Sequence, residues 1–325
     1  MISVYPDEYG VAKALSTLGA LYHREGDYIQ AIDHFHKSIS IYEDLDKGSL
    51  KFGNSIADDY TSLGRVYRAM GEPTRALVLY NKALNLSSKL MNHYLSANIL
   101  NSMGVLYLAQ ADYAKASSYF QKSLKAYLSQ HHHLEIAMVL YNLGVVHHVQ
   151  GNIGQALEYF RQAGQRAEVS LDKGTIIAVK EGIGAIYRIK GDYKESLEML
   201  NSALSLAIEL DDRTRIAEIL WRKAEVFYDT GNYMEAERLS EERLRARVLA
   251  LIREQLPQVS KTASHVGVVR AECRLPDRQG TPVEWFCLGV APLDAIQLCK
   301  VVDDGSHLRM VLPKASLGGG QRLAE

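Results

Sequence analysis

Histidine side chains are the first candidates for chemistry in this 325-residue chain. Three of them, His131, His132 and His133, are consecutive, and imidazole is a common ligand of zinc and other transition metals. Consecutive residues on a loop point in different directions and rarely bind one ion together. A solvated loop is the simpler interpretation, so we predict no metal site and no cofactor.

The three cysteines of the chain, Cys273, Cys287 and Cys299, lie near its C-terminal end together with His265 and His307. A thiol beside an imidazole is the arrangement of a cysteine protease. However, this region has neither a Gln-Ala-Cys-x-Gly sequence nor a Cys-x-x-Cys pair. We therefore predict that the protein is not an enzyme. An odd, widely spaced set of cysteines also fits a reducing cytoplasm better than a disulfide framework.

The overall charge of the chain restricts the classes of partner. With 37 Lys and Arg against 38 Asp and Glu, the formal net charge is −1. This balance gives no strong electrostatic attraction to nucleic acid or to an anionic membrane. No run of 18 apolar residues is present, and the N-terminal residues lack a basic stretch followed by an apolar one. We expect a cytoplasmic protein that binds neither nucleic acid nor membranes.

Most of the chain is built from one pattern written six times. Its anchor is a small residue, usually preceded by an apolar one, and the spacings between anchors are 45 and then 40 residues four times. The anchors are Gly19, Gly64, Gly104, Gly144, Gly184 and Ala224. A fixed period of this size is typical of stacked repeat arrays.

Within each copy, the same residue types return at the same distance from the anchor. A chain reversal follows seven residues later, at Gly26, Gly71, Ala111, Gly151, Gly191 and Gly231. A small residue follows after twelve, at Ala31, Ala76, Ala116, Ala156, Ser196 and Ala236. Four residues further on, five copies have a large apolar residue, at Phe35, Tyr80, Phe120, Phe160 and Leu200, whereas the sixth has Ser240. Each copy is therefore predicted to form a helix, a tight turn and a second helix packed closely on the first.

This pattern resembles the tetratricopeptide repeat over roughly residues 7 to 253. The matching positions of the first copy are Leu15, Leu18, Gly19, Tyr22, Ala31, Phe35 and Ser38. Those of the fourth copy are Leu140, Leu143, Gly144, His147, Ala156, Phe160 and Ala163. The usual repeat has about 34 residues, so these copies are longer. They resemble the extended repeats of Pins-type adaptors, of peptide-sensing regulators in Gram-positive bacteria, and of sensor regions fused to bacterial kinases and caspase-like proteases.

The resemblance implies an all-α, right-handed α-solenoid of about six helix-turn-helix units, followed by a small C-terminal segment. We place the solenoid at 7–256, with repeats near 12–45, 57–90, 97–130, 137–170, 177–210 and 217–256. The five extra residues of the first spacing, around 46–51, predict a longer loop or a longer helix. Residues 257–325 form an appendix, either with a β-hairpin of 266–274 and 283–288, or as a truncated domain or disordered tail.

In this architecture, the first helix of each pair lines the concave face, and we expect that face to bind a peptide. Its charges run from basic in the first two copies, through polar and apolar, to acidic in the last two; charged solvated faces are the alternative explanation. The predicted contact residues are Arg24, Arg65, Arg68, Asn98, Asn101, Met138, Tyr141, Asn142, His148, Arg188, Trp221, Glu225 and Tyr228.

The predicted function is a non-enzymatic scaffold that holds a peptide or partner segment in the concave groove. One alternative is the sensor arm of a larger signalling enzyme, a kinase or caspase-like protease. A second is a self-associating structural solenoid. The chaperone-tail class of these repeats binds a terminal carboxylate with a set of lysine and asparagine residues. No three successive copies of this chain contain that set. Binding of chaperone C-termini is therefore not expected.

Overall fold

A computed structural model describes residues 8–129, 132–260, 267–276, 282–291, 300–303 and 308–311 of the chain. This part contains twelve helices, and the predicted all-α solenoid is confirmed. The helices are α1 Glu8–Glu25, α2 Tyr28–Asp46, α3 Gly53–Ala69, α4 Pro73–Lys89, α5 His93–Ala109, α6 Tyr113–Leu128, α7 His133–Val149, α8 Ile153–Ser170, α9 Lys173–Lys190, α10 Tyr193–Glu209, α11 Arg213–Asp229 and α12 Tyr233–Ser260. None of them combines the length and the apolar character that a membrane span requires.

The helices divide into two compact units between Met199 and Leu200, inside α10. In the first unit, α1 pairs with α2, α3 with α4, α5 with α6, and α7 with α8. The second helix of each pair packs on the first helix of the next pair, and α3, α5, α7 and α9 also contact one another in order. The first helices therefore form a continuous row along this unit, which we call the inner row.

The turn inside each copy depends on one residue with left-handed backbone. Gly151 adopts φ +78°, and Asn152 N–H then donates to His147 O at 2.8 Å. Ala111 replaces glycine in the third copy and adopts the same conformation, with φ +57°. Asp112 then begins α6 by accepting a hydrogen bond from Lys115 N–H. The turn thus keeps its form without glycine, since the residues on both sides hold it.

Contacts between glycine and an aromatic ring set the distance between paired helices. A Cβ atom added at Gly144 would lie 2.6 Å from Phe160 Cδ1, and one added at Gly104 would lie 2.6 Å from Phe120 Cδ1. The tip of the Phe160 ring also reaches the next repeat, because a Cβ at Gly182 would lie 2.8 Å from its Cζ. One buried ring therefore fixes both the pairing within a repeat and the stacking of the following one.

The extra residues after the first repeat form a loop, which decides between the two predicted alternatives. The helix α2 ends at Asp46, and Lys47, Gly48 and Leu50 have positive φ. The Asp46 carboxylate accepts hydrogen bonds from Phe52 N–H at 2.8 Å and Leu50 N–H at 2.9 Å. The bond from Phe52 N–H has the largest effect and lowers the pKa of Asp46. Burial opposes this effect, and the bond from Leu50 N–H adds to it. The carboxylate therefore closes the loop in its ionised form.

In the second unit, α11 pairs with α12, and α12 continues past Pro257 to Ser260. Four strands follow, β1 Gly267–Pro276, β2 Pro282–Ala291, β3 Lys300–Asp303 and β4 Leu308–Val311. The strands β1 and β2 pair antiparallel with Arg270 opposite Leu288, and β3 pairs antiparallel with β4. The first pair corresponds to the two segments for which a hairpin was expected. The boundary between solenoid and appendix at 256/257 remains a prediction.

The fit between Gly144 and Phe160 predicts that even one added methyl group destabilises the repeat. We expect Gly144→Ala to lower the free energy of unfolding by about 1–3 kcal/mol, because the ring has no space to move into. Gly154→Ala is the matched control, since nothing lies within 4 Å of a Cβ at this helical position. That change should leave stability equal or raise it by up to about 1 kcal/mol. Urea melts of both variants test this, and equal stability of the two would contradict the packing account.

Candidate functional site

Arg65 lies on α3 in the inner row and joins two repeats. Its Nη2–H donates to Asn98 Oδ1 at 2.6 Å, across the interface between α3 and α5. Longer contacts of 3.4 Å connect Nε and Nη2 with Ser102 Oγ. The predicted residues Arg65 and Asn98 are therefore brought together, and Ser102, which the sequence did not single out, belongs with them. The guanidinium is held in one orientation before any ligand arrives.

The charges around Arg65 favour a positive surface at this end of the first unit. Burial lowers the pKa of His23, and the charges of Arg65 and Arg68 lower it further, so this imidazole is neutral at pH 7. Asp58 keeps contact with solvent, but partial burial of its carboxyl group raises its pKa, and the charge of Arg65 only partly offsets this effect. Arg24 is exposed on the last turn of α1, next to His23. We call Arg24, Arg65 and Arg68 the basic cluster.

Tyr80 places a buried hydroxyl beside this cluster. It stands where Phe35, Phe120 and Phe160 stand in other copies, and its side chain is fully buried. Burial raises the pKa of Tyr80, while the charges of Arg68 and Arg65 lower it. Arg68 approaches the hydroxyl, yet no partner with proper hydrogen-bond geometry lies within the described residues. In the sequence, the sign of this hydroxyl is a tyrosine at a position where three other copies have phenylalanine. The sequence alone did not single it out.

A pair of amides continues the polar row at the next interface. Asn142 Nδ2–H donates to Asn101 Oδ1 at 3.1 Å, between α7 and α5. Both side chains are half-buried. The bond uses one donor and one acceptor, so Asn142 Oδ1 and an N–H of Asn101 Nδ2 still have capacity. An acceptor and a donor side by side match the C=O and N–H of a peptide backbone.

An apolar patch lies on α7 beyond the amides. Met138 keeps 44% of its surface exposed, although the residues on either side of it, Ala137 and Val139, are fully buried. Tyr141 is half-buried and its ring lies 5.5 Å from that of Phe160. The patch therefore rests on the rigid glycine–aromatic core, which suits an anchor point for an apolar ligand side chain.

The histidines serve packing, where the structure describes them. The ring of His147 stacks on Tyr159 at 5.2 Å. His148 and Arg188 are half-buried and take part in interactions within the protein. His132 contacts the ring of Tyr94 at 4.8 Å.

The predicted absence of a metal site remains a prediction. His133 Nδ1 lies 3.2 Å from Arg166 Nη1, whereas His131, Cys299, His265 and His307 lie outside the described residues. Nowhere in the described ranges do three His, Cys, Asp or Glu side chains converge as metal ligands.

The three predicted contact residues of the second unit lie on α11. Trp221 is 45% exposed, and the guanidinium of Arg243 on α12 lies 4.5 Å above its ring. Tyr228 is exposed and meets the edge of Tyr233 at 5.3 Å. Glu225 is half-buried and interacts within the protein. One face of Trp221 is therefore covered by a cation of the chain itself.

Comparison with family models identifies the repeats. Models described as tetratricopeptide repeat match residues 11–45, 55–129, 95–168 and 175–247, which together cover more than half of the chain. The chain belongs to the tetratricopeptide-repeat family. The comparison with curated proteins found no significant match.

Several solved structures share this fold at low sequence identity. The apo form of RapI has a TM-score of 0.60 and 20% identity, over 76% of this chain and 86% of its own. BtubC from P. vanneervenii has a TM-score of 0.59 and 17% identity, over 77% and 98%. The Rap conjugation gene regulator of plasmid pLS20, solved in complex with the Phr* peptide, has 0.56 and 15%, over 74% and 75%. These similarities concern the fold alone.

The stack of Arg243 on Trp221 predicts a fluorescence change on mutation. In a Trp285→Phe background, which leaves Trp221 as the only tryptophan, Arg243→Ala should increase quenching by acrylamide because the covered ring face opens to solvent. We expect a loss of about 0.5–1 kcal/mol in stability. Arg238→Ala is the control, since Arg238 pairs with Glu235 and Glu242 on its own helix. Equal quenching in both variants would show that the stack does not form in solution.

Proposed function

We propose that the protein is a non-enzymatic scaffold that binds a peptide segment of a partner protein along the inner row, over α3, α5 and α7. The observation that carries this proposal is the polar ladder formed by Arg65 with Asn98 and by Asn101 with Asn142. These half-buried groups bridge successive repeats and still have hydrogen-bonding capacity. The structurally similar Rap regulator of plasmid pLS20 was solved in complex with a peptide, which supports the proposal that an array of this fold can bind one.

The ladder suits the backbone of an extended or helical peptide. Amide side chains on a rigid surface recognise a main chain independently of its sequence, since every peptide unit has one donor and one acceptor. Specificity would then come from side chains of the ligand. Met138 and Tyr141 offer contact to an apolar residue, and the basic cluster offers contact to an acidic one. His148, Arg188, Trp221, Glu225 and Tyr228 remain predicted contacts of the same kind.

The experiment begins with a library, because the partner is unknown. Random peptides displayed on phage are selected against the full chain and counter-selected against Arg65→Glu/Arg68→Glu. The proposal expects a family of peptides that share an acidic residue a few positions from an apolar one. Selection of no family, or of one that the variant enriches equally, would contradict binding at the inner row.

Association kinetics of a selected peptide give a sharper prediction. Charge complementarity mainly accelerates encounter, so Arg65→Glu/Arg68→Glu should slow association about tenfold or more at low salt, with a smaller change in dissociation. The difference should shrink at high salt because the charges are screened. Lys125→Glu/Arg161→Glu is the matched control, with two exposed cations on the second helices α6 and α8. An association rate equal in both variants would show that the basic cluster is ordinary solvated surface.

A further inference from the structure

Asp59 is a buried carboxyl group at a position where every later copy has an apolar residue. Five residues before the anchor, the later copies have Ile99, Val139, Val179 and Ile219, all of them buried. Asp59 is equally buried, with 1% of its surface exposed. A buried carboxylate without a cation is costly. The side chain must therefore be explained by its hydrogen bonds and by its protonation.

Two serines of the first repeat surround this carboxyl group. Ser16 Oγ on α1 donates to Asp59 Oδ1 at 2.5 Å. Ser38 Oγ on α2 lies 2.6 Å from Asp59 Oδ2 and also 2.8 Å from Ala12 O. Asp59 itself lies on α3, so this small network is the polar contact that connects α1, α2 and α3.

The number of hydrogens in the network favours the protonated acid. A hydroxyl has one hydrogen, so Ser38 donates either to Ala12 O or to Asp59, but not to both. The third repeat shows which bond belongs to the repeat itself: Ser123 Oγ donates to Ala97 O at 2.8 Å, next to the apolar Val139. If Ser38 also donates to its carbonyl, then Asp59 must supply the hydrogen between Oδ2 and Ser38 Oγ. The network is complete only when Asp59 is protonated.

The charged and titratable groups around Asp59 do not stabilise its ionised form. Burial is the largest effect and raises the pKa of Asp59 to about 6; the bonds from Ser16 and Ser38 oppose it, and Asp58 on the same helix adds to it. At the same junction, burial raises the pKa of Tyr42 on α2, and Asp59 and Tyr9 on α1 raise it further. Within the described ranges, no lysine, arginine or histidine is among the groups that act on this carboxyl.

The helix α1 is the element that depends on this network. Among the described residues it packs mainly on α2 and α3. Its Leu18 is 40% exposed, whereas the equivalent residues Leu63 and Leu143 are fully buried between repeats. Because the described residues that pack on α1 belong mainly to α2 and α3, the polar junction with these two helices contributes to holding α1 in place. His23 and Arg24 lie on the last turn of α1, so its position also determines the shape of the basic end.

We propose that Asp59 makes the packing of α1 depend on protonation: the first repeat is closed while this carboxyl group holds a proton, and opens more often when it loses the proton to solvent. The direction follows from linkage. A carboxyl group with a raised pKa in the folded state stabilises that state most below its unfolded pKa near 3.8. This stabilisation is lost as the pH rises, and the loss is complete above about 6.

Hydrogen exchange of the full chain tests this device without any ligand, so its outcome is independent of the proposed function. After correction for intrinsic exchange, the opening constant of α1 should rise about tenfold from pH 5 to pH 7.5, because about one unit of the difference between 3.8 and about 6 lies above pH 5 and each unit is a factor of ten. The opening constant of α5 and α6 should stay constant. Asp59→Asn should abolish the rise, whereas Asp58→Asn on the exposed neighbour should keep it. A rise that persists in Asp59→Asn, or its absence in the unmodified chain, would overturn the proposal.

A second measurement covers the case in which Asp59→Asn does not fold. Aspartate carboxyl carbons labelled with ¹³C are titrated by NMR in the Asp58→Asn background, which removes the other raised carboxyl of α3. One remaining midpoint near pH 6 supports the device. If all midpoints lie below about 5, Asp59 is ionised in the ordinary range and the proposal fails.

Discussion

Close contact between an aromatic ring and a glycine is the constraint on which the array depends. Phe160 touches the backbone of Gly144 in its own repeat and of Gly182 in the next, at distances that leave no space for a methyl group. The same fit occurs between Phe120 and Gly104. Because interiors are close-packed, such a contact allows one relative position of the helices. The glycine and the aromatic residue of this contact recur with the 40-residue period of the sequence. Repetition of the contact orients each first helix in the same way.

The same regular packing arranges the polar side chains of the inner row. The regular stacking of α3, α5 and α7 brings Arg65 to Asn98 and Asn101 to Asn142 across successive interfaces. Each bond fixes the direction of a polar group on a rigid helix. A peptide bound there, as we propose, would order few side chains of the protein, which is the advantage of a preorganised surface. The core therefore sets the spacing of the helices, and the surface presents its polar groups at that spacing.

The sequence was sufficient for the helices because apolar, small and glycine positions repeat with a period that only a stacked array explains. It also placed Arg65 and Asn98 on first helices of the repeats, where the structure finds them. It did not single out Ser102 or Tyr80, the buried hydroxyls beside Arg65 and Arg68, since their contributions depend on distances across repeats. Asp59 was missed for a related reason. In the linear sequence it is one of two adjacent aspartates, and only the fold shows that Asp58 is exposed and Asp59 buried.

The central claim is that the inner row of the first unit is the binding surface, and site-specific photo-crosslinking tests it most directly. The photoreactive residue p-benzoylphenylalanine is introduced at Met138 on α7 and, as a control of similar exposure, at Leu128 on α6. Each protein is irradiated with a selected peptide, and the crosslinked position is read by mass spectrometry. The account predicts a crosslink from position 138 to one defined residue of the peptide and none from position 128. Equal crosslinking from both positions, or crosslinking from 128 alone, would contradict it.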